Sequence, residues 1–145
     1  MQITQKKQYA LRAVFELARH AASEPLKTAQ IAEAQAIPVR FLEIILNHLK
    51  RAGLVNAKRG IYGGYTLEHP PGEIRVSDVF QALDGDTDPA ACVSCQHQCS
   101  CPFNGECAFL PLWTEIQDSL AAIYNRTTIQ DLLDNHSARV KSSRS

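Results

Sequence analysis

All five cysteines of this 145-residue chain fall within the sixteen residues from Cys92 to Cys107, spaced Cys92-x2-Cys95-x3-Cys99-x-Cys101-x5-Cys107. Within that run Cys95, Cys101 and Cys107 form a regular subset, with five residues between each and the next. Thiolates on a segment without apolar periodicity can wrap and hold an iron–sulfur cluster, whose type and potential follow from its ligands and exposure. Structural zinc is the rival chemistry, because any four of these cysteines, or three with His97, complete a tetrahedral site. A bare thiol switch between neighbouring cysteines is the third. The odd number of clustered thiols reads as a metal or redox site in a reducing compartment rather than a disulfide framework. For an enzyme the motifs are missing. The sequence holds no Gly-rich nucleotide loop, nucleophile arrangement or carboxylate pair suited to acid–base work, and His20, His48, His69 and His136 are scattered.

Charge points to a partner. Fifteen Lys and Arg against fifteen Asp and Glu give a formal net charge of zero, which conceals a division along the chain. Residues 1–65 carry ten basic and four acidic side chains, whereas residues 66–145 carry five basic and eleven acidic ones. An asymmetry of this size suggests that the first half faces a polyanion and the second does something else. With 45% hydrophobic and 21% charged residues the composition is that of an ordinary globular chain, which excludes wholesale disorder and a fibrous repeat. The N-terminal residues lack the apolar core of a signal peptide, and no stretch approaches the roughly 18 apolar residues a membrane span needs, so a cytoplasmic location is expected.

The elements that would position these groups are legible in part. Ala10, Ala13, Val14, Leu17, Ala18 and Ala21 recur at helical spacing and predict a first helix over residues 4–22. Thr28 is the expected N-cap of a short helix through Gln35, and Ile37-Pro38 marks the turn into a third helix running to about Ala52. On that helix Leu42, Ile45, Leu46 and Leu49 form an apolar stripe, while Arg40, Glu43, Asn47 and Lys50 share another face. Gly53 suits a left-handed cap, and two short strands, Leu54-Val55 and Tyr65-Thr66-Leu67, flank the basic, glycine-rich loop Lys58-Arg59-Gly60-Ile61-Tyr62-Gly63-Gly64. This order describes a winged helix-turn-helix, in which the third helix enters the roughly 12 Å wide major groove and the hairpin reaches the adjacent backbone or minor groove. A short helix carrying Val79, Phe80 and Leu83 follows. The cysteine segment leads into a long helix over about 108–126, whose Phe109, Leu112, Ile116, Leu120 and Ile123 make an apolar stripe widened by Trp113 and Tyr124. Its surface exceeds what a small winged domain covers, so a symmetric dimer seam is expected, supplying two recognition helices for two half-sites. Thr128-Ile129-Gln130-Asp131 opens a last short helix through Asn135 as a capping box would, and the polar residues 136–145 are expected to fray.

Several of these segments together resemble the Rrf2 family of bacterial transcription regulators. The likeness is carried by Ile3-Thr4, Tyr9-Ala10-Leu11-Arg12-Ala13, Ile31-Ala32-Glu33, Phe41-Leu42-Glu43, Leu49-Lys50-Arg51-Ala52-Gly53-Leu54-Val55, Arg59-Gly60, Gly63-Gly64-Tyr65 and Thr128 to Leu133. The cysteine pattern is similar to that of the iron–sulfur members, which include regulators of iron–sulfur biogenesis and of the nitric-oxide response. The resemblance implies a homodimer with a winged helix-turn-helix, a long dimerisation helix and an iron–sulfur cluster, [2Fe-2S] or [4Fe-4S], held by Cys95, Cys101 and Cys107. Two departures leave the fourth ligand unassigned. Leu110 stands where some members carry a histidine, and Gln8 and Arg12 stand where others lend a ligand from the first helix of the partner subunit. Cys92 and Cys99, extra thiols in this chain, are the candidates for the vacancy.

The expected architecture is thus mainly α. A winged helix-turn-helix occupies residues 1–83, a cluster-binding loop 84–107, a dimerisation helix with a C-terminal helix 108–135, and a flexible tail 136–145. The residues expected to meet a DNA operator are Arg12, Thr28, Val39, Arg40, Glu43, Asn47, Lys50, Arg59, Gly63 and Gly64. Arg40 and Glu43 would read bases, Glu43 as acceptor for a cytosine amine, while Lys50, Arg59 and Arg12 would position phosphates. The expected function is a redox, iron–sulfur or nitric-oxide sensor acting on transcription. The alternative is a winged-helix regulator with a structural zinc or thiol-switch loop, sensing a small molecule or an oxidant.

Overall fold

The computed structural model describes residues 3–84 and 107–144. Helix α1 spans Gln5–Arg19, α2 Thr28–Gln35 and α3 Val39–Arg51; strands β1 (Val55–Lys58) and β2 (Gly64–Leu67) follow. A 3-10 turn at Pro71–Glu73, α4 (Val76–Asp84), α5 (Leu110–Arg126) and α6 (Ile129–Ser143) complete it. Mainly helical, with one antiparallel hairpin, this is the expected winged helix-turn-helix.

Local chemistry explains most boundaries. The Thr4 hydroxyl caps α1 by accepting from the Lys7 N–H at 3.3 Å. The helix stops at Arg19, three residues short of the expected end, because Ala21 N–H bonds to Ala18 O and the Ser23 hydroxyl to His20 O, tightening the chain ahead of Pro25. Thr28 is the first residue of α2 rather than its cap. Lys27 holds the cap position, its backbone N–H donating to the Gln30 side-chain oxygen at 2.8 Å. At the far end of α2, Ala36 takes the left-handed conformation (φ 51°), while Ile37 N–H reaches back to Ala32 O at 2.9 Å and Ile37 is buried. That is a Schellman stop built without glycine, at a strain of about 1–2 kcal/mol. Gly53 (φ 76°) ends α3 in the same way, with Leu54 N–H on Leu49 O.

The core draws on every helix of the described chain except α5. Val14 and Leu17 of α1, Ile31 of α2, Leu42, Ile45, Leu46 and Leu49 of α3, Val79 and Phe80 of α4, and Ile129 at the start of α6 are all buried together. In the hairpin Val55 pairs with Leu67 and Lys58 with Gly64. Leu26 adds an isolated antiparallel bridge to β2, exchanging two backbone hydrogen bonds with Tyr65 at 3.1 and 2.7 Å. The C-terminal part is stitched to the same body, since Val76 N–H bonds to Thr127 O and Ile129 N–H to Ile74 O, each at 2.9 Å. Helix α6 runs well past Asn135 to Ser143, where the sequence suggested a frayed tail. His136 packs edge-on against Phe15 of α1 with ring centroids 5.6 Å apart, a tertiary contact that anchors the helix beyond the expected break.

Candidate nucleic-acid interface

Helix α3 presents three faces. Leu42, Ile45, Leu46 and Leu49 are buried, while Arg40, Glu43, Asn47 and Lys50 are exposed on the polar face, as the periodicity predicts. Val39 at its first turn is also exposed. The third face, Phe41, Ile44 and His48, escaped the sequence reading, because a two-way division into polar and apolar stripes leaves no place for it. Phe41 and Ile44 are exposed and, with Gln5, Lys6 and Tyr9 of α1, line a groove of about 290 Å³. The half-buried His48 imidazole, one turn along from Ile44, has its pKa lowered, first by desolvation and then by the Lys6 and Arg51 charges.

Arg59 and Lys58 are exposed at the base of the wing tip. The glycines that follow answer to the fold's own interior. A side chain at Gly63 would strike the Lys58 carbonyl, and a Cβ at Gly64 would lie 2.5 Å from Leu26 O. Backbone meets backbone at both positions, so glycine is required there whether or not a phosphate approaches. Thr28 is half-buried at the start of α2. Arg12 is likewise half-buried, its guanidinium donating to the Gln35 carbonyl and, at 3.4 Å, to the Gln35 side-chain oxygen, with the Tyr9 ring 5.7 Å away. It clamps α1 to the end of α2.

That clamp belongs to a polar network that sequence periodicity gave no reason to expect. Glu16, only 4% exposed, accepts from Gln35 Nε2 at 2.7 Å, from Arg19 Nη1 at 3.3 Å and meets His20 Nε2 at 3.1 Å. A buried carboxylate is tolerable when such donors satisfy it. The chain Arg12–Gln35–Glu16 thereby fixes where α2 ends, and so the angle at which α3 leaves the turn.

Of the thiols, Cys107 alone is among the described residues. It is free and half-buried, and its carbonyl accepts from Leu110 N–H at 3.2 Å, so it joins directly onto the first turn of α5. Cys92, Cys95, Cys99, Cys101 and His97 lie outside the described residues. Among the described residues no group of three or more His, Cys, Asp or Glu is placed to hold a metal ion. Gln8 and Leu110 add no donor suited to iron; Gln8 bonds to Ile3 O at 3.4 Å. Helix α5 itself has no buried residue. Phe109 (57% exposed), Leu112 (49%), Trp113 and Ile123 point outward, whereas Tyr124 turns inward and packs edge-on against Phe80 at 4.9 Å. Tyr124 therefore leaves the outward stripe. No helix among the described residues is long and apolar enough to cross a membrane.

Known proteins share both this sequence and this fold. A regulator named HTH-type transcriptional regulator IscR from Cronobacter sakazakii is 33% identical over 135 residues, covering 93% of this chain and 82% of its own length. The protein of the same name from Enterobacter sp. strain 638 matches equally, over 81% of its length. Among solved structures, T. potens IscR superposes with a TM-score of 0.76 at 28% identity, over 94% of this chain and 88% of its own. CymR, the global cysteine regulator of B. subtilis, reaches the same TM-score at 30% identity, over 93% and 98%. The family model of Rrf2, described as an iron-dependent transcriptional regulator, matches residues 3–135. With that match spanning nearly the whole chain, the protein belongs to the Rrf2 family of transcriptional regulators.

Proposed function

We propose that this regulator acts as a homodimer in the cytoplasm, reading an operator with two α3 helices and reporting the state of a metal centre held by the cysteine segment. The observation that carries the reading is the outward stripe of α5, an uncovered apolar face continuous in sequence with Cys107. A 17-residue helix is about 25 Å long, and leaving Phe109, Leu112, Trp113 and Ile123 in water forgoes about 25 cal/mol for each Å² they could bury. A second copy across a two-fold axis covers the stripe and places two recognition helices for two half-sites.

Arg40, Glu43 and Asn47 then face base edges, with Val39 at the leading turn, while Lys50 and Arg59 meet phosphates. Arg12 and Thr28 act from behind, on the position of α2, and Gly63 and Gly64 by shaping the wing. The donor chemistry fits an iron–sulfur cluster, since thiolates are its usual ligands, and the family's iron-dependent description agrees. Cys95, Cys101 and Cys107 would hold it, with Cys92 or Cys99 as the fourth ligand. When bound, such a cluster supplies a centre sensitive to oxidants, iron supply and nitric oxide. Cys107 is the protein's link from that centre to α5, and α5 reaches the DNA-binding body through Tyr124 on Phe80 and Thr127 O on Val76. A second reading, in which the same thiols act without iron as a zinc site or a thiol switch, rests on the same donor set, because four thiolates, or three with His97, also suit zinc.

Anaerobic purification followed by an absorption spectrum and iron, sulfide and zinc assays separates the two. Visible charge-transfer bands with matched iron and sulfide are expected; colourless protein with one zinc per chain would overturn the cluster. Replacing Cys95, Cys101 and Cys107 together by alanine should change operator affinity from the parent's, and an affinity unchanged under both anaerobic and oxidising conditions would remove the sensing role.

A further inference from the structure

The apex of the wing is built from the wrong kind of residue for a solvated turn. Gly60 O accepts from Gly63 N–H at 3.0 Å, closing a β-turn whose two central residues are Ile61 and Tyr62. Neither has a positive φ, so the turn accepts side chains there without strain. Ile61 is 83% exposed and Tyr62 81%, the two least covered large apolar side chains among the described residues. They contribute nothing to the core, yet the hairpin beneath them is held firmly. Its strands are paired over four rungs, Leu26 binds the back of β2, and the close backbone approach at Gly63 and Gly64 leaves no slack. Lys58 and Arg59 immediately precede the apex and are exposed on the same projection.

Resting on the DNA-binding reading above, we propose that Ile61 and Tyr62 form a wedge that enters the minor groove beside the base pairs facing α3, making the wing a reader of how easily a base step opens. Apolar side chains, isoleucine among them, unstack base steps and bend the duplex when inserted from the minor groove, and one or two residues suffice. A protein partner fits the same pair less well. A stable protein interface needs about 800 Å² from each side, and two side chains flanked by cations do not supply it. The cations instead match the phosphates that border the groove. Ile61 is the wedge proper. The Tyr62 ring lies beside it, and its hydroxyl can donate to adenine N3 or thymine O2, the acceptors that A·T pairs show in the minor groove. The sequence consequence is a preference, at the position under the wing, for pyrimidine–purine steps, which unstack most easily.

The full-length chain, purified anaerobically, is used to select duplexes from a randomised pool, and the selection is repeated with Ile61→Ser/Tyr62→Ser and with Tyr62→Phe. Bending of the selected duplex is read by energy transfer between end labels, and thermal unfolding by circular dichroism. The double variant is expected to melt like the parent and to bind random-sequence DNA within about threefold of it. It should bind the parent's selected duplex about ten- to a hundredfold more weakly. It should also lose the step preference and a bend of about 20° or more. Tyr62→Phe should keep the bend and lose the A·T preference. Equal bending and equal selected sequences for parent and double variant would overturn the wedge. So would unchanged DNA behaviour joined to a defect seen only with RNA polymerase present, which would mark the apex as a protein contact. A parent chain that enriches no duplex would overturn the DNA-binding reading itself, a result distinct from either.

Discussion

Replacing Glu16 by alanine removes the one buried charge in the described core and tests whether the Arg12–Gln35–Glu16 network sets the position of the helix-turn-helix. The strongest of its bonds is the 2.7 Å one from the partly buried Gln35 amide, and a hydrogen bond to a charged group contributes about 1.5–3 kcal/mol. The Arg19 side chain is 43% exposed, so its pairing with Glu16 is screened and adds about 0–1 kcal/mol; His20, equally exposed, is discounted in the same way. Glu16→Ala should therefore cost about 2–4 kcal/mol, a fall of about 5–15 °C in Tm for a chain of this size. Glu16→Gln keeps an acceptor for the Gln35 amide while losing the charge, and should cost about half as much. Because Gln35 also receives Arg12 at the end of α2, DNA affinity should drop in the alanine variant even at temperatures where it remains folded. Thermal unfolding by circular dichroism and fluorescence anisotropy with labelled DNA read the two effects. A loss below about 0.5 kcal/mol, the range of an ordinary surface change, would refute the view that this carboxylate anchors α2.

Ala36→Gly should raise stability by about 0.5–1 kcal/mol, because relief of left-handed strain outweighs the added chain entropy of glycine; a lower Tm would show that the turn is not strained. Arg59→Ala should weaken binding to all DNA sequences and flatten the salt dependence by about 0.9 in log–log slope for one phosphate contact, and an unchanged slope would take Arg59 out of the interface. The Asp131 carboxyl is held below its usual 3.8 by the Thr128 backbone N–H and then by the Thr128 side chain. Its contribution is thus complete above that value and is lost as pH falls through the lowered one, so Thr128→Ala should move the Asp131 carboxyl resonance titration upward. For His48, whose pKa is lowered, the unfolded chain binds the proton more readily. Stability should accordingly decline as pH drops below 6.5, and His48→Gln should remove that part of the pH dependence.

Along this chain, what was legible in the sequence is what short-range physics fixes. The stripe of Leu42, Ile45, Leu46 and Leu49 had to be one face of a helix, because helical spacing alone aligns them. Gly53 had to follow a helix end, and the basic turn had to sit between two short strands. The split of charge between the halves foretold which of them carries the exposed polar face of α3. Other features depend on residues distant in sequence. Nothing within a few residues of Glu16 announces that Gln35, nineteen positions on, will satisfy it inside the protein. Nor does the pattern around Tyr124 tell that its ring meets Phe80 and so leaves the stripe it was expected to widen. Gly63 and Gly64 stand among the residues expected to meet an operator, and only the folded hairpin shows that the chain's own carbonyls fill the space beside them. Ile129 is wholly buried in the common core and its N–H bonds to Ile74 O, and the last helix packs on α1 and the 3-10 turn, contacts that no local pattern announces. Periodicity and capping are properties of neighbouring residues and can be read from a string; burial depends on which distant surfaces meet, and that is decided only when the whole chain closes on its core.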